Sequence, residues 1–363
     1  MAKSFIASAI QIEVKAHYMR GISAEQQRKE NLDRIINKFD LFLLMSTHQA
    51  MPETSLGSAE LKDLGNPVKL MVFPESFLHG FGPPRSRTLD VYKEMAIKVP
   101  GPETEALGSK CKEHKMYVAG TAYETDDKYP GHVFNCGFII GPEGKVDLKY
   151  RKLGTSNNVV ELASSPTDLG SRHNQDLKSL FPVLETDYGN MGMFICWDGG
   201  FPEIARALAF NGAEIFIRPN NWFRGTYEAL EVMTINNRAR AMENYAYLIT
   251  PNWAASPESE YPASCCNTMI LDYRGRIMSQ RISDAEAVVA TTLNVNELRE
   301  YRRNNNANPL KQMRNDVFSR IYASVESFPP AIYENREPFQ SLDEKYGFMA
   351  QITQNLIKQG IMK

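Results

Sequence analysis

Apolar residues recur along the chain in two patterns, one typical of strands and one typical of helices. Short apolar runs between turn residues predict strands at about residues 4–12, 69–73, 116–123, 133–140, 192–196, 213–218, 246–250, 267–272 and 287–293. Helices are predicted at about residues 24–43, 103–115, 203–211 and 228–244, the first with its apolar residues on one face. Because adjacent strands are interleaved with long helices, we expect an α/β fold with mixed sheets and outer helices.

Three segments interrupt this pattern. The polar stretch from Ser46 to Pro67 is interpreted as an inserted loop, and residues 155–182 as a long loop of the kind that is often functional. Near the C-terminus, Leu342, Tyr346, Met349, Thr353 and Leu356 recur at helical spacing. We therefore expect one domain over residues 1–300, followed by an extension over residues 301–363 that packs on the domain or on a partner subunit.

Composition narrows the classes of function. The 363 residues carry a net charge of -2, which gives no electrostatic footprint for nucleic acid or an anionic membrane. No apolar run approaches the roughly 20 residues needed to cross a bilayer. Five cysteines form an odd number without C-x-x-C spacing, which argues against a zinc ribbon and a disulfide scaffold. A reduced, cytoplasmic setting is expected.

One cysteine lies where an apolar strand meets a helix. Residues 195–200 read Ile-Cys-Trp-Asp-Gly-Gly, and Pro202 suits the first position of the following helix. The paired glycines are expected to permit a tight backbone path, and the field of the helix N-terminus is expected to favour the thiolate of Cys196. A buried structural cysteine is the alternative reading of this stretch.

Two further stretches carry candidate chemistry. Phe73-Pro74-Glu75 ends a strand and places a carboxylate at the C-terminal edge of a sheet, where open α/β sheets bind ligands. The run from Leu148 to Leu153 contains Lys152 and alternates as a half-exposed strand does. Taken singly, Glu75 also fits an edge residue in water, and Lys152 also fits a side chain that points to solvent.

In this order the three stretches resemble the nitrilase superfamily of carbon–nitrogen hydrolases, and within it the aliphatic amidase and formamidase branch. The resemblance runs from the Ala-Ile-Gln strand near the N-terminus to about residue 295. It implies a four-layer αββα sandwich on dimerisation, with a Glu–Lys–Cys constellation formed by Glu75, Lys152 and Cys196. It also implies a homodimer or a higher homo-oligomer, with neither cofactor nor metal.

The resemblance further implies the chemistry. Cys196 would attack an amide or nitrile carbon while Glu75 accepts its proton, and Lys152 with the backbone N–H of Trp197 would stabilise the oxyanion. A thioester would follow, and water would then release the acid. Glu161 matches a second glutamate that the family's amidases often carry after the lysine.

The substrate is less sharply indicated. Amidases commonly show aspartate after the cysteine, whereas Trp197 stands here, and nitrilases favour Cys-Trp-Glu. We expect Trp197, Trp222 and Phe77 to bind substrate, and the absence of a basic residue over 199–201 favours a small uncharged amide, hydrolysed to acid and ammonia. A nitrilase and an N-carbamoyl amidohydrolase are the alternatives, followed by an acyltransferase and a non-catalytic binding protein.

Overall fold

The computed structural model describes residues 2–16, 20–51, 66–80, 88–154, 161–170, 176–222, 227–256 and 266–363. Within these ranges the strands are β1 Phe5–Gln11, β2 Val68–Val72, β3 Tyr117–Glu124, β4 Phe134–Ile140, β5 Val146–Arg151, β6 Val183–Leu184, β7 Met191–Met193, β8 Ile215–Ile217, β9 Tyr247–Thr250, β10 Asn267–Leu271, β11 Ile277–Ile282 and β12 Ala287–Leu293. The helices are α1 Ala24–Ala50, α2 Leu89–Met95, α3 Pro102–His114, α4 Leu177–Leu180, α5 Pro202–Phe210, α6 Tyr227–Asn244, α7 Val295–Asn304, α8 Pro309–Gln312, α9 Asn315–Ala323 and α10 Leu342–Lys358. Two 3-10 turns, Pro166–Asp168 and Cys196–Gly200, complete the described elements.

The strands form two six-stranded sheets with the same pairing pattern. The first has the order β12-β1-β2-β3-β4-β5 and the second the order β6-β7-β8-β9-β10-β11. Read in these directions, both sheets begin with an antiparallel pair, continue with two parallel pairs and end with two antiparallel pairs. Strands β2 and β8 therefore occupy equivalent central positions in the two sheets.

The two sheets pack face to face. Along β1, Phe5, Ala7 and Ala9 belong to the apolar cluster shared with the second sheet. Ile6 and Ile10, on the opposite face, pack in the cluster that includes α1, as the alternation of side chains along a strand requires. Burial on both faces explains why this strand reads as a continuous apolar run.

Helices cover the outer faces, so the α/β prediction with mixed sheets and outer helices is confirmed. Helix α1 packs on β1 and β12, and α6 packs on β9 and β10. The four layers are complete within one chain, whereas we had expected them on dimerisation. Among the described helices, none combines the length and the apolar character that a membrane crossing requires.

Several element boundaries differ from the predictions. Helix α1 continues to Ala50, beyond the predicted end, and the hydroxyls of Ser46 and Thr47 donate to the carbonyls of Phe42 and Leu43 one turn earlier. Strand β7 ends at Met193, before the predicted end at residue 196. Strand β11 was not predicted because much of it is exposed, and its sequence lacks an apolar alternation. Much of the expected 46–67 insertion, residues 52–65, lies outside the described residues.

The C-terminal segment packs on the first sheet's helical layer. Tyr333, Phe339 and Leu342 join the apolar cluster that contains α1. A β-bridge joins Ser341 to Thr88, just before α2. The division into a domain and an extension at residue 301 stays a prediction.

Candidate active site

Glu75, Lys152 and Cys196 meet at one end of the sandwich. Glu75 follows β2, Lys152 follows β5 and Cys196 follows β7. The carboxyl ends of parallel strands form the usual ligand edge of such sheets. Glu75 and Lys152 are fully buried, and Cys196 is 6% exposed.

Lys152 connects two carboxylates. Its Nζ atom lies 2.8 Å from Oε1 of Glu75 and 2.9 Å from Oε2 of Glu161. The side chain of Asn135 also connects them, because its Nδ2 atom donates to Glu75 over 2.8 Å and to Glu161 over 2.7 Å. The structure thus brings Glu161 into the same cluster as Glu75 and Lys152. Sequence reasoning missed Asn135, whose signal is a polar residue within the apolar run of β4.

Glu75 is held by both sheets. Its backbone N–H donates to the carbonyl of Asn220, and its Oε2 atom accepts from the backbone N–H of Asn221 over 3.1 Å. Its own carbonyl accepts from Nε1 of Trp253 over 2.6 Å. The carboxylate therefore has its orientation fixed by residues after β8 and β9.

The backbone at Cys196 is strained. Cys196 has φ 44°, in the left-handed region that non-glycine residues rarely adopt, at a cost of about 1–3 kcal/mol. Three hydrogen bonds hold the residue there: its N–H donates to the carbonyl of Pro219, and its carbonyl accepts from Nε of Arg218 over 3.0 Å and from Nη2 over 2.6 Å.

The paired glycines serve a different purpose from the one expected. Neither Gly199 nor Gly200 has a positive φ, so the unusual backbone lies at Cys196 itself. A Cβ at Gly199 would lie 2.1 Å from Cζ of Arg218, whereas a Cβ at Gly200 would meet nothing within 4 Å. Gly199 is therefore required for the close approach of the buried guanidinium.

Asp198 fixes the turn from the other side. Its carboxylate accepts from the backbone N–H of Ile195 over 2.9 Å and from that of Gly154 over 2.7 Å. The hydroxyl of Tyr150 donates to the same carboxylate over 2.7 Å. These bonds join the cysteine turn to the segment that carries Lys152.

Burial and neighbouring charges shift the pKa values of the residues in this cluster. Burial raises the pKa of the Cys196 thiol, and the charge of Glu75 adds to that effect, while Lys152 opposes it. Burial thus opposes the thiolate that we expect the field of a helix N-terminus to favour, and that expectation stays a prediction. Burial likewise raises the pKa of Glu75. For Lys152 burial acts against the ammonium, but the charges of Glu161 and Glu75 outweigh it and raise the pKa well above its usual value.

The aromatic residues separate into two groups. Trp197 is 38% exposed, and its ring stacks on that of Trp222 at 5.9 Å between centroids and 19° between planes. Phe77 is fully buried and stacks on Phe73 within the core. The assignment of Phe77 to substrate binding stays a prediction.

The sequence of this chain is similar to those of carbon–nitrogen hydrolases. A model of the carbon-nitrogen hydrolase family matches residues 43–303. A formamidase of Bacillus cereus (strain B4264) is 33% identical over 188 residues, which cover 52% of this chain and 51% of that one. A formamidase of Bacillus thuringiensis (strain Al Hakam) is 32% identical over the same shares. The chain spans about half the length of the curated relatives it matches.

Solved structures share the fold. Saccharomyces cerevisiae Nit3, described as a member of branch 10 of the nitrilase superfamily, has a TM-score of 0.63 and 20% identity, covering 86% of this chain and 97% of that one. A carbon-nitrogen hydrolase from Helicobacter pylori G27 has a TM-score of 0.65 and 17% identity, covering 88% and 98%. With a family model that matches most of its length, this chain belongs to the carbon–nitrogen hydrolase family.

Proposed function

We propose that the protein hydrolyses the C–N bond of a small, uncharged amide, giving an acid and ammonia through a thioester on Cys196. The observation that carries the proposal is the buried cluster of Glu75, Lys152 and Glu161 beside the strained cysteine turn. The similarity to proteins named formamidase supports a short acyl group.

The first step joins Cys196 to the substrate. Glu75 takes the thiol proton as the sulfur of Cys196 forms a bond to the carbonyl carbon, and the π electrons move onto the carbonyl oxygen. The Lys152 ammonium and the backbone N–H of Trp197 stabilise the resulting oxyanion, and the loss of one such donor costs about 3–4 kcal/mol in other enzymes. Glu161 keeps the ammonium oriented.

In the remaining steps the carboxyl group of Glu75 acts first as a proton donor and then as a proton acceptor. Glu75 gives its proton to the amide nitrogen as the C–N bond breaks, releasing ammonia and leaving the thioester. Water then attacks the thioester carbon while Glu75 takes a proton from it, the C–S bond breaks, and the cysteine regains a proton. Burial raises the pKa of Glu75, which suits a carboxyl group that both accepts and donates a proton in one cycle.

The surroundings of the thiol favour an uncharged substrate. The buried side chains of Arg218 and Arg240 donate to the carbonyls of Cys196 and Gly199, so both are engaged by the backbone of the turn. Among the described residues, neither polar atom of the Asn221 side chain has a hydrogen-bond partner, although the residue is buried. We assign this carboxamide, together with Trp197 and Trp222, to substrate binding.

A nitrile substrate is the second candidate. The tryptophan that follows the cysteine matches the Cys-Trp pair that nitrilases favour, and addition of the thiol to a nitrile would give a thioimidate. An N-carbamoyl substrate fits less well, because it needs a basic group to hold its carboxylate.

The test is a substrate panel on purified protein. Aliphatic and aromatic amides, nitriles and N-carbamoyl compounds are incubated with it, and ammonia and product acids are measured. We expect turnover of short amides, loss of at least about 10⁴-fold in Cys196→Ala, and an acyl adduct on Cys196 in intact-mass spectra. Unchanged turnover in folded Cys196→Ala would contradict the mechanism, and product diverted to added hydroxylamine in place of water would identify an acyltransferase.

We also propose that the protein is a homo-oligomer in a reducing, cytoplasmic setting. The four described cysteines outside disulfides support a reducing setting. Large apolar side chains exposed on α5, α6 and α9 support self-association.

A further inference from the structure

A lysine of the C-terminal helix lies inside the protein next to the site. Lys345, in the first turns of α10, is 3% exposed, and lysines are almost never so deeply buried without a partner. Its Nζ atom donates to the backbone carbonyl of Glu161. Lys345 lies beyond residues 43–303, the part of the chain that matches the family model.

The segment that leads to Lys345 runs along the stretch that follows Glu161. The N–H of Ala331 donates to the carbonyl of Thr167 over 3.3 Å, and the N–H of Tyr333 donates to that of Asp168 over 2.8 Å. On its far side, the carbonyl of Gln340 accepts from the N–H of Leu89 over 3.1 Å. Residues 331–345 thus form a strap over the Glu161–Gly170 stretch, and contacts near both of its ends hold it in place.

The strap fits this stretch closely. The rings of Tyr333 and His132 lie 5.3 Å apart, and Nδ1 of His132 lies 2.9 Å from Oγ of Ser164. A Cβ added at Gly170 would lie 2.8 Å from Cβ of Glu334, so the strap leaves no room for a side chain there. The backbone of Glu161–Gly170 is therefore fixed by the strap along much of its length.

The ammonium of Lys345 also adds charge beside the carboxylates. Burial lowers the pKa of Lys345 to about 8, and the charges of Glu161 and Asp168 act against that decrease. At neutral pH the side chain is mostly protonated. Glu161 thus has a second cation beside it, at its backbone carbonyl, in addition to Lys152 at its carboxylate.

We propose that Lys345 is a positioning residue: it holds the backbone of Glu161 so that the Glu161 carboxylate keeps the Lys152 ammonium at the reacting carbonyl, and the strap 331–345 thereby completes the active site. The inference rests on the proposed function, because it assigns a part in that reaction to a residue outside the matched family region. The bonds form one connected series from Lys345 through Glu161 and Lys152 to Glu75. Removing the first bond leaves a buried carbonyl without its donor and loosens the next.

The test is a double-mutant cycle. Lys345→Met and Glu161→Gln are made singly and together, with Lys358→Met, an exposed lysine of the same helix, as the matched control. We expect Lys345→Met to lower kcat about tenfold or more with KM changed less than about twofold, because it affects orientation of the charge rather than binding. In the Glu161→Gln background the same substitution should change kcat by less than about twofold, whereas Lys358→Met should match wild type. Additive effects, or wild-type kcat in folded Lys345→Met, would overturn the proposal.

A second readout separates this inference from the proposed function. The rate of alkylation of Cys196 by iodoacetamide is measured for all variants, because it needs no natural substrate. We expect a slower alkylation rate in Lys345→Met, with the same coupling to Glu161→Gln. This expectation holds even if the protein hydrolyses no amide. A lack of amide turnover would reject the proposed function alone. Turnover and alkylation both insensitive to Lys345 would reject the inference alone. If Lys345→Met does not fold, Lys345→Leu, which also removes the N–H donor, replaces it in the cycle.

Discussion

Glu75 and Cys196 share one constraint, which is that burial disfavours the charged form of each. Burial raises the pKa of the Cys196 thiol, and the ammonium of Lys152 contacts the carboxylates of Glu75 and Glu161. The carboxylate of Glu75 is stabilised by Lys152 and by the Nδ2 donor of Asn135. In the mechanism that we propose, the thiol proton therefore moves to Glu75 as the sulfur forms its bond to the substrate.

The decrease of kcat/KM at low pH, the acid limb of its pH profile, should reflect protonation of Glu75. Activity requires the ionised carboxylate, so it is lost as pH falls through a pKa that burial has raised above the ordinary 4.5. The hydrogen bond from Asn135 lowers that pKa, so Asn135→Leu should move the limb of kcat/KM to higher pH, as well as lowering its maximum. The measurement is the pH profile of kcat/KM, with Asn304→Leu, at an exposed position of α7, as the control. A limb at or below 4.5, or one that Asn135→Leu leaves in place, would contradict this assignment.

At the scale of the element, the cysteine turn is a strained piece of backbone held at two points. Asp198 binds the N–H groups of Ile195 and Gly154 on one side, and Arg218 binds the Cys196 carbonyl on the other. The strain at φ 44° persists because both contacts are buried and charged.

Gly199→Ala should show whether Gly199 is needed for the close approach of Arg218 or for backbone freedom. The new methyl group would overlap the Arg218 guanidinium, which would have to leave the Cys196 carbonyl. We expect a loss of about 2–3 kcal/mol in the free energy of unfolding and a lower kcat, measured by urea denaturation and steady-state kinetics. Gly200→Ala is the matched control, since its methyl group meets no atom within 4 Å. Equal effects of the two substitutions would show that backbone freedom, and not the approach of Arg218, explains the glycine pair.

Those features of the cysteine turn that depend on neighbouring residues in the chain can be predicted from the sequence. The apolar run before Cys196 and Pro202 at the helix start are visible in order along the chain, and so are the motifs around Glu75 and Lys152. The partners Asn135, Arg218 and Lys345 come from β4, the end of β8 and α10, so only tertiary packing brings them to the site. The raised pKa of the thiol likewise depends on burial by the whole sandwich, which the local field of a helix N-terminus does not reveal.

At the scale of the whole molecule, the repeated pairing pattern explains where the site forms. Strands β2 and β8 are equivalent central strands, and the residues that follow them are in contact, because Glu75 bonds with Asn220 and Asn221. Glu75 and the backbone N–H of Asn221 that donates to it thus come from corresponding points of the two sheets. The C-terminal strap approaches the same end of the sandwich through Lys345.

The outer helical layer of the second sheet exposes several large apolar side chains. Phe210, Ile235 and Met242 are exposed apolar residues of α5 and α6. Helix α9 adds Ile321, 58% exposed, and its Tyr322 hydroxyl donates to Glu203 of α5 over 2.6 Å. Such apolar surface on neighbouring helices is typical of an interface between subunits.

We expect sedimentation velocity at micromolar concentration to show a dimer or a larger assembly. Ile321→Glu should shift it towards the monomer, because a carboxylate buried in the interface would lose its hydration. Leu177→Glu is the control, because Leu177 is 72% exposed on α4, a separate helix. A monomeric wild type would reject self-association, and an assembly that Ile321→Glu leaves intact would move the interface away from α9. Because Cys196 and Glu75 are held by contacts within one chain, a monomeric variant should keep its cysteine alkylation rate, so assembly would affect stability more than the chemistry.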